Sequence, residues 1–340
     1  LVTAGDTFQL YFTADASRTS YGFSFASITE ASLDDVTDPA YSWRISGNTF
    51  FTNGSDTLTD LSNRSVFNHL TEIVVEPGTT ELSTGMMKNV TSVTKVTLPD
   101  GLTSIGNEAF RGCTGITEIN IPNTVTSIGN YAFYGCSSLA SINIPASVTE
   151  IGQYTFGYCT GIKTVIIPET VEAINSYAFQ NCTSLTDVTL STTTDYGYYY
   201  SSATARGIFD GCTHLKNVTF SDEPVKINNG LFAGSGIQKI TIPATVTEIG
   251  DYTFANCTKL TSVVYAGNTV AKIGKYAFAS AIALTTAPIP DEIKEIGEYA
   301  FAKCKSLNAY YEAEQKPDGW SDKWRYLNVT VIWGHEESNR

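Results

Sequence analysis

The feature of this sequence that most limits its possible folds is a repeat of about 23 residues. One unit begins at Ile116 and ends at Cys136, and the unit that ends at Cys159 copies it closely. A phenylalanine marks the same place in nine copies, at spacings of 23, 23, 23, 30, 23, 22, 24 and 23 residues: Phe110, Phe133, Phe156, Phe179, Phe209, Phe232, Phe254, Phe278 and Phe301. One such unit cannot bury its own apolar side, so the repeat predicts coils that stack into a continuous core, with these rings inside it.

A tenth, degenerate copy precedes the nine. Its apolar residues align with those of the following unit at an offset of 23, although the consensus fades: Leu82, Met86, Met87, Val90, Val93, Val96 and Leu98. The repeat therefore predicts about ten coils between residues 66 and 308.

Within each unit the apolar residues follow the spacing of leucine-rich repeats, as in Leu139, Ile142 and Ile144. Strand alternation points the second and third of these inward and the residues between them outward, onto a concave face. We expect hydroxyls just beyond each strand to bond the turn backbone, at Thr124, Ser147, Thr170 and Thr245. The stretch 130–133 is short enough for one or two helical turns on the convex side.

The unit I-P-x-x-V-x-x-I-G-x-x-A-F-x-G-C-x-x-L resembles the BspA-like leucine-rich repeat family of bacterial and protozoan surface proteins. The tail from Tyr310 to Gly334 also resembles the C-terminal cap of that family, so the resemblance covers about residues 66–340. It implies an α/β-type leucine-rich repeat solenoid with short strands and short convex helical turns, closed by caps at both ends. It also implies an extracellular or surface-anchored adhesion module with no catalytic residues. Ser235 and Ala281 depart from the pattern, because they replace the repeat cysteine.

The chain divides into three predicted parts. Residues 1–65 lack the repeat and contain alternating runs typical of short strands: Phe8–Phe12, Tyr21–Phe25 and Trp43–Ile45. We expect the segment from Tyr41 to Val75 to form the N-terminal cap. Residues 66–308 form the array and residues 309–340 the C-terminal cap. The chain opens at Leu1 without Met or a signal-peptide pattern, so we expect a mature or trimmed product.

All seven cysteines lie three residues after a marker phenylalanine, at positions 113, 136, 159, 182, 212, 257 and 304. Stacked equivalents would lie about 5 Å apart, which allows a disulfide by distance, but their side chains would point in parallel and meet its geometry poorly. We therefore interpret them as small buried hydrophobic residues, with disulfides or metal ligation as the alternative.

Composition and motifs disfavour several functions. The 34 acidic and 21 basic residues give a net charge of -13, and Lys and Arg do not cluster, which disfavours nucleic acid and anionic membranes as partners. The three histidines are far apart in sequence, and no nucleotide, metal or nucleophile motif occurs. We expect no enzymatic activity, no cofactor, no metal site and no membrane-inserted segment.

Two regions are candidate binding surfaces. The spacing of 30 residues reveals an insertion in segment 191–207, and its Tyr196, Tyr198, Tyr199 and Tyr200 offer contact area and hydroxyls for a ligand. The alternative is that this loop folds back on its own array. The second region is the concave face, with the candidate ligand-binding residues Asn120, Asn143, Asp187 and Asn217.

The sequence thus predicts a secreted or cell-surface binding or adhesion protein, which recognises a host or environmental protein or glycan through the concave face and the 191–207 loop. The alternative is a structural spacer or stalk that presents another domain.

Overall fold

The structure, a computed structural model, describes the strands within 7–13, 24–31, 36–37 and 43–46. Beyond these it describes residues 48–52, 70–191, 194–197, 199–200, 205–221, 226–290, 293–304, 307–311, 314–325 and 330–334. These residues form 28 β-strands, and no helix occurs among them.

In chain order, the strands are β1 (Thr7–Thr13), β2 (Ser24–Ala31), β3 (Val36–Thr37), β4 (Trp43–Ser46), β5 (Thr49–Thr52), β6 (Glu72–Val75), β7 (Glu81–Leu82), β8 (Lys95–Thr97), β9 (Ser104–Ile105), β10 (Glu118–Ile119), β11 (Ser127–Ile128), β12 (Glu150–Ile151), β13 (Thr164–Ile166), β14 (Ala173–Ile174), β15 (Asp187–Leu190), β16 (Asp195–Tyr196), β17 (Tyr199–Tyr200), β18 (Ala205–Arg206), β19 (Asn217–Phe220), β20 (Lys226–Ile227), β21 (Lys239–Ile242), β22 (Glu248–Ile249), β23 (Ser262–Tyr265), β24 (Lys272–Ile273), β25 (Thr286–Pro288), β26 (Glu295–Ile296), β27 (Asn308–Tyr311) and β28 (Thr330–Trp333).

Two faces of the molecule are built from parallel strands that stack coil on coil. The front face contains β6, β8, β10, β13, β15, β19, β21, β23, β25, β27 and β28. The side face contains β7, β9, β11, β12, β14, β16, β20, β22, β24 and β26, so the described part of the chain has ten coils. Pairing joins equivalent repeat positions, as Ile128 with Ile105 on one side and with Ile151 on the other. The predicted solenoid and the degenerate first coil, which supplies β7 and β8, are confirmed.

The third side of each coil is a run of turns, and here the predicted convex helical turns at residues 130–133 are wrong. The amides of Tyr131 and Phe133 each donate across to a carbonyl of the following coil at 2.8 Å. The amides of Tyr134 and Cys136 donate within their own coil, each to a carbonyl three residues earlier at 3.1 Å. An α-helix would keep all its interior amide bonds within one segment, whereas these amides alternate between two coils.

The cause of this difference is a pair of left-handed residues, four positions apart, in nine of the ten described turns. Tyr131 has φ 57° and Gly135 has φ 76°, and two such residues break any right-handed helix between them. The same spacing recurs at residues 85 and 89, 108 and 112, 154 and 158, 177 and 181, 230 and 234, 252 and 256, 276 and 280, and 299 and 303. A left-handed L-residue costs about 1 kcal/mol, which the hydrogen bonds between coils offset.

The core is a column of the nine marker phenylalanines, which confirms their predicted burial. Each is at most 1% exposed, and successive rings stack with centroids 5.2 to 6.2 Å apart. In the degenerate coil Met86 and Met87 are fully buried and continue the apolar core.

Both ends of the array have additional elements. At the N-terminal end β3, β4 and β5 are antiparallel, and β5 then pairs in parallel with β6, which places the buried Phe50 opposite Ile73. Strands β1 and β2 form a separate antiparallel pair. At the C-terminal end the backbone of Trp320 forms an isolated parallel β-bridge with that of Ile296. The Trp320 ring packs on the Trp324 ring, with centroids 5.2 Å apart. The predicted boundary near residue 65 lies outside the described residues.

The expected hydroxyl bonds beyond the front strands are present at two of four positions. Thr124 Oγ1 donates to the carbonyl of Leu102, and Ser147 Oγ donates to that of Val125, each at 2.6 Å. Thr170 is exposed, and the buried Thr245 hydroxyl has no partner in the described part of the chain.

Two glycines in one coil separate two constraints on the backbone, the close approach of a neighbouring coil at Gly129 and the positive φ of Gly135. A Cβ at Gly129 would lie 2.7 Å from the backbone nitrogen of Asn107, whereas a Cβ at Gly135 would meet nothing closer than 3.8 Å. We expect Gly135→Ala to cost about 1 kcal/mol, because only its φ is unfavourable. Gly129→Ala should cost about 3 kcal/mol, because the neighbouring coil must move. Urea unfolding of both variants checks this order, and a larger loss in Gly135→Ala would contradict it.

Candidate functional site

The outward residues of the front face form two parallel rows. Within one coil burial alternates along the strand: Ile119 and Ile121 are buried, whereas Glu118 and Asn120 are exposed. Parallel pairing in register repeats this alternation from coil to coil. We call one the uncharged row: Thr97, Asn120, Asn143, Ile166, Thr189, Thr219, Thr241 and Val264. We call the other the charged row: Glu72, Lys95, Glu118, Ser141, Thr164, Asp187, Asn217, Lys239 and Ser262.

The uncharged row runs through eight successive coils without an ionisable side chain. Two of its members are large apolar residues, Ile166 at 64% exposure and Val264 at 51%. The others are threonines and asparagines, which offer hydrogen-bond donors and acceptors without charge. In a chain of net charge -13, this row is a distinct strip of the front face.

The charged row contains two internal contacts. Lys95 Nζ lies 2.6 Å from a carboxylate oxygen of Glu72, and Asn217 Nδ2 donates to Asp187 Oδ1 at 2.5 Å. The hydroxyl of Thr186 also donates to the Asp187 carboxylate. Both bonds lower the pKa of Asp187, because they stabilise its charged form. The bond from Thr186 has the larger effect, and the bond from Asn217 has the next largest.

The predicted candidates on the front face thus fall into two groups. Asn120 and Asn143 are exposed neighbours in the uncharged row. Asp187 and Asn217 contact each other in the charged row, where each uses part of its hydrogen-bonding capacity on the other. Their role in binding stays a prediction.

The tyrosines of the 191–207 insertion lie in two different places, one in the core and two in a short strand pair. Tyr196 ends β16, is 3% exposed, and its hydroxyl donates to the carbonyl of Ser191 at 2.5 Å. It takes the core position that Ile174 holds in the preceding coil, as the register of β14 and β16 shows. Tyr199 and Tyr200 form β17, which pairs in antiparallel with β18. Tyr198 and the side chains of β17 lie outside the described residues.

A row of stacked tyrosines on the turn face was missed by the sequence reasoning. Tyr131, Tyr154 and Tyr177 stack with centroids 4.9 and 4.7 Å apart, and a second stack of Tyr252, Tyr276 and Tyr299 has spacings of 5.0 and 5.1 Å. The guanidinium of Arg111 lies 5.4 Å from the ring centroid of Tyr131, in cation–π contact. The available signal was a tyrosine two residues before the marker phenylalanine in six coils.

A ladder of side-chain amides at the corner between the side and turn faces was also missed. Asn107 Oδ1 accepts from the amide of Asn130 at 2.8 Å, and Asn130 Oδ1 accepts from the amide of Gln153 at 2.6 Å. A cleft of about 360 Å³ borders this ladder, and a second cleft of about 420 Å³ lies on the same corner near the C-terminal end, lined in part by Lys272 and Glu298.

The cysteines form a buried row of free thiols, which confirms their predicted burial. Each thiol also donates to a carbonyl of the preceding coil, as Cys136 Sγ does to the marker Phe110 at 3.2 Å. Burial raises the thiol pKa at six of these positions, to about 12 for the last two: Cys113, Cys159, Cys182, Cys212, Cys257 and Cys304. They contribute packing and a weak hydrogen bond, and they are poor nucleophiles.

In the part of the chain that the structure describes, no group of three or more His, Cys, Asp or Glu side chains is placed to hold a metal ion. Nor does that part contain a helix with the length and hydropathy needed to cross a membrane.

The stacked parallel coils and their outward rows define a repeat solenoid of the leucine-rich class. The family described as BspA type leucine-rich repeat region (6 copies) matches residues 80–204 and 205–308. The chain belongs to this family.

Several solved bacterial structures are similar to the chain. A leucine-rich cell surface protein of Faecalibacterium prausnitzii A2-165 is 23% identical, with 90% of this chain and 96% of that one covered and a TM-score of 0.44. A leucine-rich repeat protein of Eubacterium ventriosum ATCC 27560 is 21% identical, with 84% and 74% covered and a TM-score of 0.49. A leucine-rich repeat protein of T. pallidum is 22% identical, with 74% and 87% covered and a TM-score of 0.39. The comparison with curated proteins found no match.

The buried thiol row predicts chemical inertness in the native state. At about pH 8 all seven cysteines should remain inaccessible to reagents, because each is buried in the folded protein. We expect DTNB to label none of the seven in the folded protein and all seven after unfolding in guanidinium. Rapid labelling of any thiol without denaturant would contradict this interpretation.

The lowered pKa of Asp187 predicts an effect of its partner Asn217. In the folded protein the Asp187 carboxyl should titrate below its ordinary value of 3.8, and Asn217→Ala should move the midpoint upward. The sign follows from linkage: Asp187 stabilises the fold above its unfolded pKa, and this stabilisation is lost as pH falls through the folded pKa. Carboxyl NMR titration of both proteins measures the shift. An unchanged midpoint in the variant would show that the Asn217 bond does not stabilise the charged form.

Proposed function

We propose that this protein is a non-catalytic, secreted or cell-surface binding protein of adhesion type, and that it engages a protein or glycan partner through the front face. The single observation that carries this proposal is the uncharged row, in which Ile166 and Val264 are exposed. The extracellular location is part of the proposal and follows from the class of protein that the repeat resembles.

Charge depletion supports the choice of this row. The centre of a protein interface is depleted in charged residues, since each buried charge must lose its water. Exposed Ile166 and Val264 can be buried by a partner at little cost, while neighbours such as Asn120 and Asn143 can form hydrogen bonds. The charged row beside it would then form a polar rim, which contributes to orientation and association rate.

The absence of catalysis is proposed for a geometric reason. Coil-on-coil stacking places equivalent side chains in rows, whereas catalysis needs unlike groups that converge on one reacting atom. Two carboxylates of the charged row, those of Glu72 and Asp187, are instead bonded to neighbours in their own row.

The test uses an array of extracellular-matrix proteins and glycans, probed with the wild type and the double variant Ile166→Glu, Val264→Glu. We expect the variant to lose about tenfold or more in binding to any captured partner, because two buried carboxylates in the interface are costly. Its unfolding midpoint should be unchanged, because both positions are exposed.

The matched control is Ile282→Glu, which places the same charge at another exposed isoleucine, at 41% exposure, outside both rows. Equal loss in the control and in the double variant would contradict the assignment of the front face. Absence of any captured partner for the wild type would favour a spacer.

The contribution of the 191–207 loop is tested on the same array. Tyr198, Tyr199 and Tyr200 are replaced by serine while Tyr196 is kept, because its buried ring belongs to the core. Weaker binding of this variant with an unchanged unfolding midpoint would support a second contact from the loop.

A further inference from the structure

The cleft of about 360 Å³ on the amide-ladder corner lies away from the front face. We call it the asparagine cleft, and the side chains that line it are Thr84, Ser104, Asn107, Ser127, Asn130 and Glu150, with glycine and isoleucine backbone between them. Its volume falls within the range of about 300 to 1,000 Å³ that is usual for small-ligand sites.

The amide ladder fixes the chemistry that the two asparagines offer. Asn107 and Asn130 each accept a backbone N–H of the next coil through Oδ1. Their Nδ2 groups have no protein partner in the described part of the chain, so each can donate to a ligand. Because the ladder holds both side chains, binding a ligand would not require them to become ordered.

The remaining polar groups add acceptors and hydroxyls. Ser104 and Ser127 lie side by side on adjacent strands of the side face, and Glu150 follows in the same row. The Glu150 carboxylate receives one bond, from Asn175 Nδ2 to Oε1 at 3.2 Å, which leaves its second oxygen able to accept. Among the described residues, no Lys or Arg lines the cleft.

These groups match one class of ligand. Amide donors, hydroxyls that both donate and accept, and a single carboxylate acceptor suit a molecule covered with neutral hydroxyl groups. An anionic ligand would meet Glu150 with no cation to balance it. We propose that the asparagine cleft binds a neutral saccharide, by hydrogen bonds from Asn107 and Asn130 and to Glu150. This deepens the proposed binding function with a second site, on a different face.

The other cleft on the same corner serves as an internal comparison. The row that holds Ser104, Ser127 and Glu150 continues there with Glu248, Lys272 and Glu295, of which Lys272 and Glu295 line the second cleft. These form an ion-pair series that begins with Lys226, whose Nζ lies 2.9 Å from Glu248; Lys272 lies 3.7 Å from Glu248 and 3.9 Å from Glu295. The scaffold therefore accepts Lys beside Glu in this row, and stability does not require the serines.

The test is the variant Ser127→Lys, which reproduces the Lys226–Glu248 arrangement beside Glu150. The full chain is assayed against polymer-displayed glucose, galactose, mannose and N-acetylglucosamine, because multivalent display makes weak single-site affinities measurable. We expect saturable binding of at least one sugar by the wild type and a loss of about tenfold or more in the variant, as the lysine fills the cleft and occupies Glu150. The unfolding midpoint should be equal or higher.

Two controls define the result. Lys272→Ser, the reverse change in the charged cleft, should leave sugar binding unchanged, and so should the double variant Ile166→Glu, Val264→Glu. No sugar binding by the wild type, or equal binding by Ser127→Lys, would overturn the saccharide proposal without touching the front-face proposal. Loss of sugar binding in the front-face variant alone would move the saccharide site to that face and would equally overturn the assignment to the cleft.

Discussion

The structure depends on hydrogen bonds between the backbones of neighbouring coils. The described part of the chain has no helix, so its buried amides must bond elsewhere. All three sides of a coil donate to, or accept from, the backbone of the next coil. The two strand faces do so by parallel pairing, as at Ile128, and the turn face by bonds such as that from the amide of Phe133, at 2.8 Å. These bonds fix the distance between coils near the strand spacing of about 4.8 Å. Every repeat position therefore becomes a row, and aromatic rings can stack along it.

Rows impose a rule on side chains that ordinary globular folds lack, because each residue must be compatible with its own kind about 5 Å away. Phenylalanines, thiols and amides satisfy this rule, but like charges repel. The side face avoids repulsion between like charges in two ways. Near the C-terminal end Lys226, Glu248 and Lys272 alternate in sign, whereas nearer the N-terminal end Ser104 and Ser127 remove the charge. The second arrangement leaves a polar corner in which Glu150 is the one charged side chain lining the asparagine cleft among the described residues.

The repeat made the core predictable and left the turns obscure. Spacing alone located the phenylalanine column, the thiol row and the degenerate first coil, because burial follows from periodicity. It did not reveal the left-handed Tyr131, since a tyrosine carries no visible preference for positive φ, and a compact run between glycines resembles a helical turn. Exposure of Asn120 and Asn143 followed from strand alternation. The burial of Tyr196 could not be predicted in this way, because it depends on the register in which the inserted strand β16 pairs with β14. The asparagine cleft was hidden because the ladder that orients its amides exists only once the coils stack.

The coils of one chain also act as comparisons with each other, since they share a backbone and differ in side chains. At inward positions of the side face the residue hardly varies, as Ile105, Ile128 and Ile151 illustrate, because packing and register leave little choice. At the adjacent outward positions, serine, glutamate and lysine all occur on the same backbone. The seven extra residues of the 30-residue unit widen the ring stack only slightly, with Phe179 and Phe209 5.7 Å apart, so the insertion leaves the core column continuous. Stability and recognition are thus carried by different positions of one repeat, and a new ligand requires changes only in the outward rows and loops.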